Sequence, residues 1–225
     1  MRPLTRRLLT AVALSASVAV ALSGCGNKAE TSNADDMTLG NPKAKVTVVE
    51  YASASCIHCG RWNNEVFPAF KSKYIDTNKV NYVYREFLTN PPQLAAAGFL
   101  LARCAGKDKY FQVLDSIYHS QEEMFTTGDY RGVLLRIAQS SGMDENQFNA
   151  CVNDEKALKA LNARVEKYGK DANITGTPTF VVNGKKIHGD DGGEQSLAQL
   201  DAAIAKAVPN KAAPTKAAPT KAAKA

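Results

Sequence analysis

Hydrophobic and polar positions along this chain follow two periods, and the switches between them divide it into elements. Val46-Thr47-Val48-Val49-Glu50-Tyr51 is an apolar, β-branched run holding one carboxylate, and it reads as a buried strand. The stretch from Asp36 to Pro42 reads as a lead-in with a turn at Asn41-Pro42. A helical period follows from about Ile57 to Tyr74, and Pro68 inside it predicts a kink. Val80 to Phe87 predicts a second strand, whose imperfect alternation suits burial on both faces. From Asn90-Pro91-Pro92 the period stays helical to about residue 170. It predicts helices near 92–105, 108–121, 130–141, 144–152 and 154–169, punctuated by Gly106, Gly128, Gly142 and Gly169. Asp144, with Gln147 three residues on, reads as an N-cap. Thr179 to Val182, the pair Asn183-Gly184 and Lys185 to His188 predict a hairpin with a two-residue turn. A last amphipathic helix runs from about Gln195 to Val208, with Leu197, Leu200, Ile204 and Val208 as its stripe.

The flanks differ from this body. Arg2, Arg6 and Arg7 precede an apolar stretch from Leu8 to Leu22, so residues 1–24 read as an export leader, too short for a comfortable membrane span. The leader ends Leu22-Ser23-Gly24-Cys25, which resembles the lipobox of bacterial lipoproteins. That resemblance implies that Cys25 carries lipid and begins the mature chain; the alternative is an ordinary leader with a chance cysteine. Residues 25–36 are small and polar and read as a flexible tether, which reaches about 40 Å when extended. The tail, 209–225, repeats Lys-Ala-Ala-Pro-Thr, cannot bury a core and is expected to be disordered. It reads as a solvated segment or a weak basic tether to anionic envelope polymers. The net charge of +6 belongs mostly to these flanks. Setting aside the three leader arginines, the four tail lysines and the two net negatives of 25–36 leaves the body at +1. A near-neutral body gives no electrostatic case for a nucleic-acid partner. The body, 37–208, has about 170 residues, the size of one domain with a real core.

The chemistry gathers at Ser55-Cys56-Ile57-His58-Cys59-Gly60, between the first strand and the helix after it. This places Cys56 at a helix N-terminus, where unpaired N–H groups and the helix dipole stabilise a thiolate. Cys59 lies one turn on and can close a disulfide with it, the pairing that thiol–disulfide exchange needs. A zinc site would need four ligands, and Cys104 and Cys151 are far apart and form no second C-x-x-C. A c-type haem site would need histidine after the second cysteine, where Gly60 stands, and a merely structural disulfide would not need the strand-to-helix setting. No metal or other cofactor is called for. His58, inside the motif, is placed to stabilise the Cys56 thiolate, or is a surface bystander. Glu50 is a carboxylate in an apolar strand, costly to bury unless it has a role or is satisfied structurally. His119 and His188 carry no motif. Five cysteines leave one odd thiol, and lipid on Cys25 accounts for it; export puts the other four where disulfides persist.

The order of strand, C-x-x-C helix, strand, helical block, hairpin and helix is that of a thioredoxin-like α/β fold with an inserted all-helical domain, here about 90–170. From Met37 to Val208 the chain resembles the bacterial DsbA family of envelope thiol–disulfide oxidoreductases. Val48-Val49-Glu50-Tyr51 leading into Cys56-Ile57-His58-Cys59 matches the family's active-site run, and Gly176-Thr177-Pro178-Thr179-Phe180 matches its cis-proline loop. The resemblance implies that Cys56 is the exposed attacking sulfur and Cys59 the buried resolving one. It implies that Glu50 lies beneath them and helps move the proton of the resolving thiol. It implies that cis-Pro178 brings the backbone of Thr177 beside the disulfide, where an extended substrate segment pairs with it. Two positions depart from the strongly oxidising members: Ile57 stands where they carry proline, and Thr177 where they often carry valine. Three functions therefore stay open. One is a membrane-tethered oxidase that passes the Cys56–Cys59 disulfide to reduced exported proteins and is reoxidised by a DsbB-like membrane partner. Another is an isomerase or reductase kept reduced by a DsbD-like partner. The third is a non-catalytic binding or chaperone module on a thioredoxin scaffold. The implied location is the periplasm or cell envelope, lipid-anchored to a membrane. Some relatives carry a second bridge in the insertion; with export, this implies a structural Cys104–Cys151 disulfide, two buried free thiols being the alternative.

Overall fold

The strands at the centre of the sheet are buried on both faces, and the rest of the fold covers them. The structure, a computed structural model, describes residues 32–187 and 193–208. The leader, Cys25, most of the tether, His188 and the tail lie outside the described residues. In chain order the elements are β1 (Met37–Gly40), β2 (Val46–Ala52), α1 (Ile57–Glu65), α2 (Phe67–Phe70), a π-helical turn (Lys71–Ile75) and β3 (Val80–Glu86). The insertion supplies α3 (Pro92–Cys104), α4 (Tyr110–His119), α5 (Gln121–Thr127), α6 (Tyr130–Ser140), α7 (Glu145–Val152) and α8 (Glu155–Ala172). The chain returns through β4 (Thr179–Val182), β5 (Lys185–Lys186) and α9 (Leu197–Ala207).

The sheet order is β1-β3-β2-β4-β5. β2 and β3 run parallel, with Val46 beside Val80 and Ala52 beside Glu86. The other pairings are antiparallel. This is the thioredoxin-like arrangement with a helical insertion that the sequence predicts. Side chains alternate across β2. Val48 and Ala52 face the large core that holds Trp62, Phe70, Phe99, Phe180 and Leu200. Val49 and Tyr51 face a smaller one with Val83, Val181 and, from α8 and its end, Tyr168 and Ile174. Glu50 shares the parity of Val48 and Ala52, so its carboxylate enters the large core beneath α1. The insertion is keyed to β3 by Glu86, which accepts hydrogen bonds from Arg103 (2.5 and 2.9 Å), Arg164 (2.9 Å) and Tyr110 (3.1 Å).

Several local expectations are corrected. The single kinked helix from Ile57 to Tyr74 is instead α1, α2 and a π-helical turn. Pro68 has no N–H to give the carbonyl of Asn64, so the chain breaks at Val66 and restarts with Pro68 in the first turn of α2. The lead-in is a strand, β1, paired to β3 from Met37–Tyr84 to Gly40–Asn81. The helix expected over 108–121 ends at His119, and a new one, α5, begins at Gln121. α8 runs through Gly169 to Ala172, and Asn173 closes it in the left-handed conformation at φ 48°. The predicted N-cap at Asp144 forms a full capping box with Gln147.

Candidate active site

Cys56 is built into a corner between β2 and α1. The turn after Ala52 is fixed from β3's far end: Ser53 Oγ accepts from the Thr89 N–H at 3.2 Å and Ser55 Oγ donates to the Thr89 carbonyl at 3.0 Å. The Cys56 N–H donates to the Ser53 carbonyl at 3.0 Å. Cys56 is then the N-cap of α1, with extended backbone (φ −83°, ψ 117°), and its Sγ accepts the Cys59 N–H at 3.3 Å. The sulfur therefore stands where a capping oxygen normally would.

The two thiols are free in the structure and are pushed in opposite directions. The Cys56 pKa falls from 9.0 to about 6. The largest cause is a hydrogen bond from the Cys59 thiol; the Thr177 side chain and the N–H groups of Cys59 and His58 add to it, and together they outweigh burial. Cys59 goes well above its ordinary value, first because it is fully buried, then because its thiol donates a hydrogen bond to Cys56. Cys56 is itself only 9 % exposed, against 0 % for Cys59. This corrects the expectation of an exposed attacking sulfur. The helix start and the Thr177–Pro178 loop cover Cys56, and its thiol donates to the Thr177 carbonyl at 3.4 Å. Ile57, next in the motif, stands out into solvent at 55 %.

Thr177–Pro178 is a cis peptide. The Thr177 hydroxyl oxygen is buried without a hydrogen-bond partner of full geometry among the described residues, which leaves it able to donate to the sulfur when Cys56 ionises. Glu50 is 2 % exposed. Burial raises its pKa from 4.5 to about 8, against a hydrogen bond from the Tyr82 hydroxyl, and the nearby Cys56 charge adds to the rise. At neutral pH Glu50 is thus a carboxylic acid held within electrostatic range of both sulfurs. His58 points elsewhere. Its ring is 65 % exposed, and Nδ1 pairs with Glu194 Oε1 at 2.7 Å. What His58 gives the sulfur is its backbone N–H.

Three further side chains complete the site, and no motif announced them. Gln121, on α5, donates through Nε2 to the carbonyls of Ala54 (2.9 Å) and Cys56 (3.2 Å). Its Oε1 would lie 2.1 Å from a Cβ at position 60, so any side chain there would push Gln121 off these carbonyls. Glu194 holds Arg61 (3.1 Å) as well as His58. Trp62 Nε1 donates to the Gln195 carbonyl at 2.8 Å, and the Gly193 N–H donates to the Pro178 carbonyl at 2.7 Å. Residues 193–195 thereby strap the cis-proline loop to α1. The one sequence trace of this was Gly60, a poor helix residue in the first turn of a helix. Cys104 and Cys151 lie away from this corner, joined to each other with S–S 2.03 Å between the end of α3 and α7. The fold thus brings Glu50, Cys56, Cys59, Thr177 and Pro178 to one place, with His58 at its rim.

Comparison with known proteins agrees with this geometry. A family model described as thioredoxin matches residues 32–206. A Rickettsia bellii protein, provisionally named protein-disulfide oxidoreductase, is 37% identical over 175 residues, 77% of this chain and 65% of its own length. A Rickettsia typhi protein of the same provisional name is 40% identical over 175 residues, 77% of this chain and 62% of its own. The chain therefore spans a little under two thirds of the length of these relatives. Among solved structures, α-DsbA1 of Wolbachia pipientis superposes with TM-score 0.71 at 29% identity, covering 80% of this chain and 94% of that one.

Proposed function

The chain belongs to the thioredoxin family, and we propose that it is a DsbA-like thiol–disulfide oxidoreductase working through Cys56 and Cys59. The observation that carries this reading is the pair of opposed thiols: one sulfur capped by N–H groups, the other buried and one turn away. In the oxidised enzyme a substrate thiolate attacks Cys56 Sγ. The Cys56–Cys59 bond breaks, and its electron pair leaves on Cys59. A proton must reach that buried thiolate, and Glu50, protonated up to about pH 8, is the acid within range. A second substrate thiolate then attacks the substrate sulfur of the mixed disulfide and releases Cys56 as a thiolate. The substrate leaves with a disulfide and the enzyme holds two more electrons.

The preferred direction is oxidation of exported proteins. A thiol with a low pKa leaves readily, and stabilising its thiolate favours the reduced enzyme, which makes the disulfide a better oxidant. Thr177 and cis-Pro178 would bind the substrate backbone beside Cys56. Reoxidation would fall to a DsbB-like membrane partner, with Cys25 as lipid anchor and the envelope as location; a DsbD-like partner would make the same site an isomerase or reductase. The opposed thiols argue against the non-catalytic module, since a binding scaffold has no need of an activated sulfur beside a buried partner.

The test is a pair of variants. Cys59→Ala should accumulate mixed disulfides with substrate proteins, because the Cys56 thiolate still attacks substrate disulfides and Cys59 is no longer there to break the adduct from the enzyme side. Cys56→Ala should form none and lose disulfide transfer. Adducts on Cys56→Ala but not on Cys59→Ala would overturn the roles. Thiol trapping of Cys56 and Cys59 in intact cells then gives the direction: mostly disulfide for an oxidase, mostly dithiol for an isomerase or reductase.

A further inference from the structure

β2 defines two poles of the domain. Cys56 follows its end at Ala52, and its other end, Val46, lies about 20 Å away at ~3.3 Å per residue. Element ends at that far pole carry lysines. Lys43 and Lys45 precede β2, Lys79 precedes β3, Lys185 follows the β4–β5 turn and Lys206 lies in the last turn of α9. The parallel register of β2 and β3 sets Lys79 beside Lys45, one residue before the Val46–Val80 pair. Asn183, in the hairpin turn, accepts from the Thr47 N–H (2.8 Å) and donates to the carbonyls of Lys45 (3.1 Å) and Ala207 (3.5 Å). That residue ties the turn, the start of β2 and the end of α9 together. Two shallow grooves flank the end of α9, one lined by Lys185, Lys186 and Lys206, the other by Lys43, Lys45, Lys79 and Val208.

Lys43, Lys45, Lys79, Lys185 and Lys206 are exposed, and among the described residues none has an ion pair. The acids beside them, Asp76 and Asp201, are already matched by Lys71 (2.6 Å) and Lys73 (2.7 Å). Val208 sits among the lysines at 49 % exposed. Beyond it the sequence adds Lys211, Lys216, Lys221 and Lys224 and no acid.

We propose that this basic pole is a docking surface for an anionic phospholipid bilayer. The five lysines are point charges spread over one end of the domain, without arginine forks or an exposed aromatic among them, which suits a charged plane better than a nucleic acid. Val208 is placed to enter the headgroup layer between them. The body's charge of +1 hides this surface because it is local. Docked this way, the domain turns Cys56 away from the bilayer, towards proteins in the aqueous space. The N-terminal segment joins β1 at Met37, beside Tyr84, nearer the Cys56 pole. An anchor there would not set the orientation, and the basic pole would.

Binding of the full chain to phosphatidylcholine vesicles with and without phosphatidylglycerol tests this. Any apolar attachment acts on both vesicles, so the readout is the ratio of the two. Each lysine at an anionic surface is worth roughly fivefold. The wild-type ratio should therefore be large and fall as salt rises. Lys→Glu at positions 43, 45, 79, 185 and 206 together should bring it near one while disulfide transfer persists. The corresponding Lys→Gln set should lower it less, and carries the test should the reversed set fail to fold. A wild-type ratio of one, or a ratio unchanged in the Lys→Gln set, overturns the proposal. So does capture by soluble polyphosphate with no preference for anionic vesicles.

Discussion

Cys56 and Glu50 titrate in opposite senses because of what surrounds each charge. The Cys56 sulfur meets hydrogen-bond donors, so ionisation is favoured despite burial. The Glu50 carboxyl meets one hydroxyl in an otherwise apolar core, so burial wins. Each shift is also a dependence of stability on pH. For Glu50, raised from 4.5 to about 8, the stabilising term is fully present below 4.5 and is lost as pH rises through about 8. For Cys56, lowered from 9.0 to about 6, the term is present above 9.0 and is lost as pH falls through about 6, and only in reduced protein. Denaturant unfolding of the oxidised protein isolates Glu50, since the Cys56 charge is the smallest of its three causes. Wild type should lose on the order of a few kcal/mol between those two pH values, and Glu50→Gln should not. In turnover, Glu50→Gln should slow release of the Cys59 thiolate about 100-fold, the lower range for a lost general acid. Parallel stability curves, or unchanged turnover, would remove Glu50 from the mechanism.

At the scale of elements, the site depends on a helix that the sequence period conceals. The apolar spacing over 108–121 runs unbroken through Ser120, so the break that starts α5 and aims Gln121 at the Cys56 carbonyl has no local sign. β1 was hidden for another reason: four residues carry too little alternation, and only pairing with β3 makes them a strand. The longer helices are legible because their period persists, and β2 and β3 because β-branched and aromatic residues recur over seven positions. The same contrast divides the site. Cys56 and Cys59 stand out by spacing, Glu50 by its apolar neighbours, and Thr177-Pro178 by its motif. Gln121 and Glu194 reach the site only through tertiary folding. Gln121→Ala should cost about 1–3 kcal/mol, because the Ala54 and Cys56 carbonyls lose a buried donor. With the first turn of α1 less firmly held, the N–H groups on Cys56 should aim less well. Its pKa should rise from about 6 by about one unit, read as thiolate absorbance against pH. A stability loss without a pKa change would make Gln121 a packing residue only.

Across the whole molecule, the insertion must hold still for α5 to keep its contact with α1. Two devices secure it. Glu86 gathers Arg103 and Arg164, from the first and last helices of the insertion, onto β3. The Cys104–Cys151 bridge joins α3 to α7 across a sequence separation of 47, beside Arg103. A loop of that length corresponds to ~4 kcal/mol of unfolded-chain entropy. Replacing both cysteines with alanine should therefore lower the unfolding midpoint by about 10 °C at this chain size. The variant should still fold, since α3 and α8 remain pinned at Glu86. It should still transfer disulfides, because neither sulfur touches Cys56, Cys59 or the Thr177–Pro178 loop. Alkylation without reductant, followed by mass spectrometry of the wild type, should find both cysteines blocked as one cross-linked pair. Two alkylated thiols would contradict the bridge. Loss of transfer in a folded variant would mean that the pair takes part in the exchange itself.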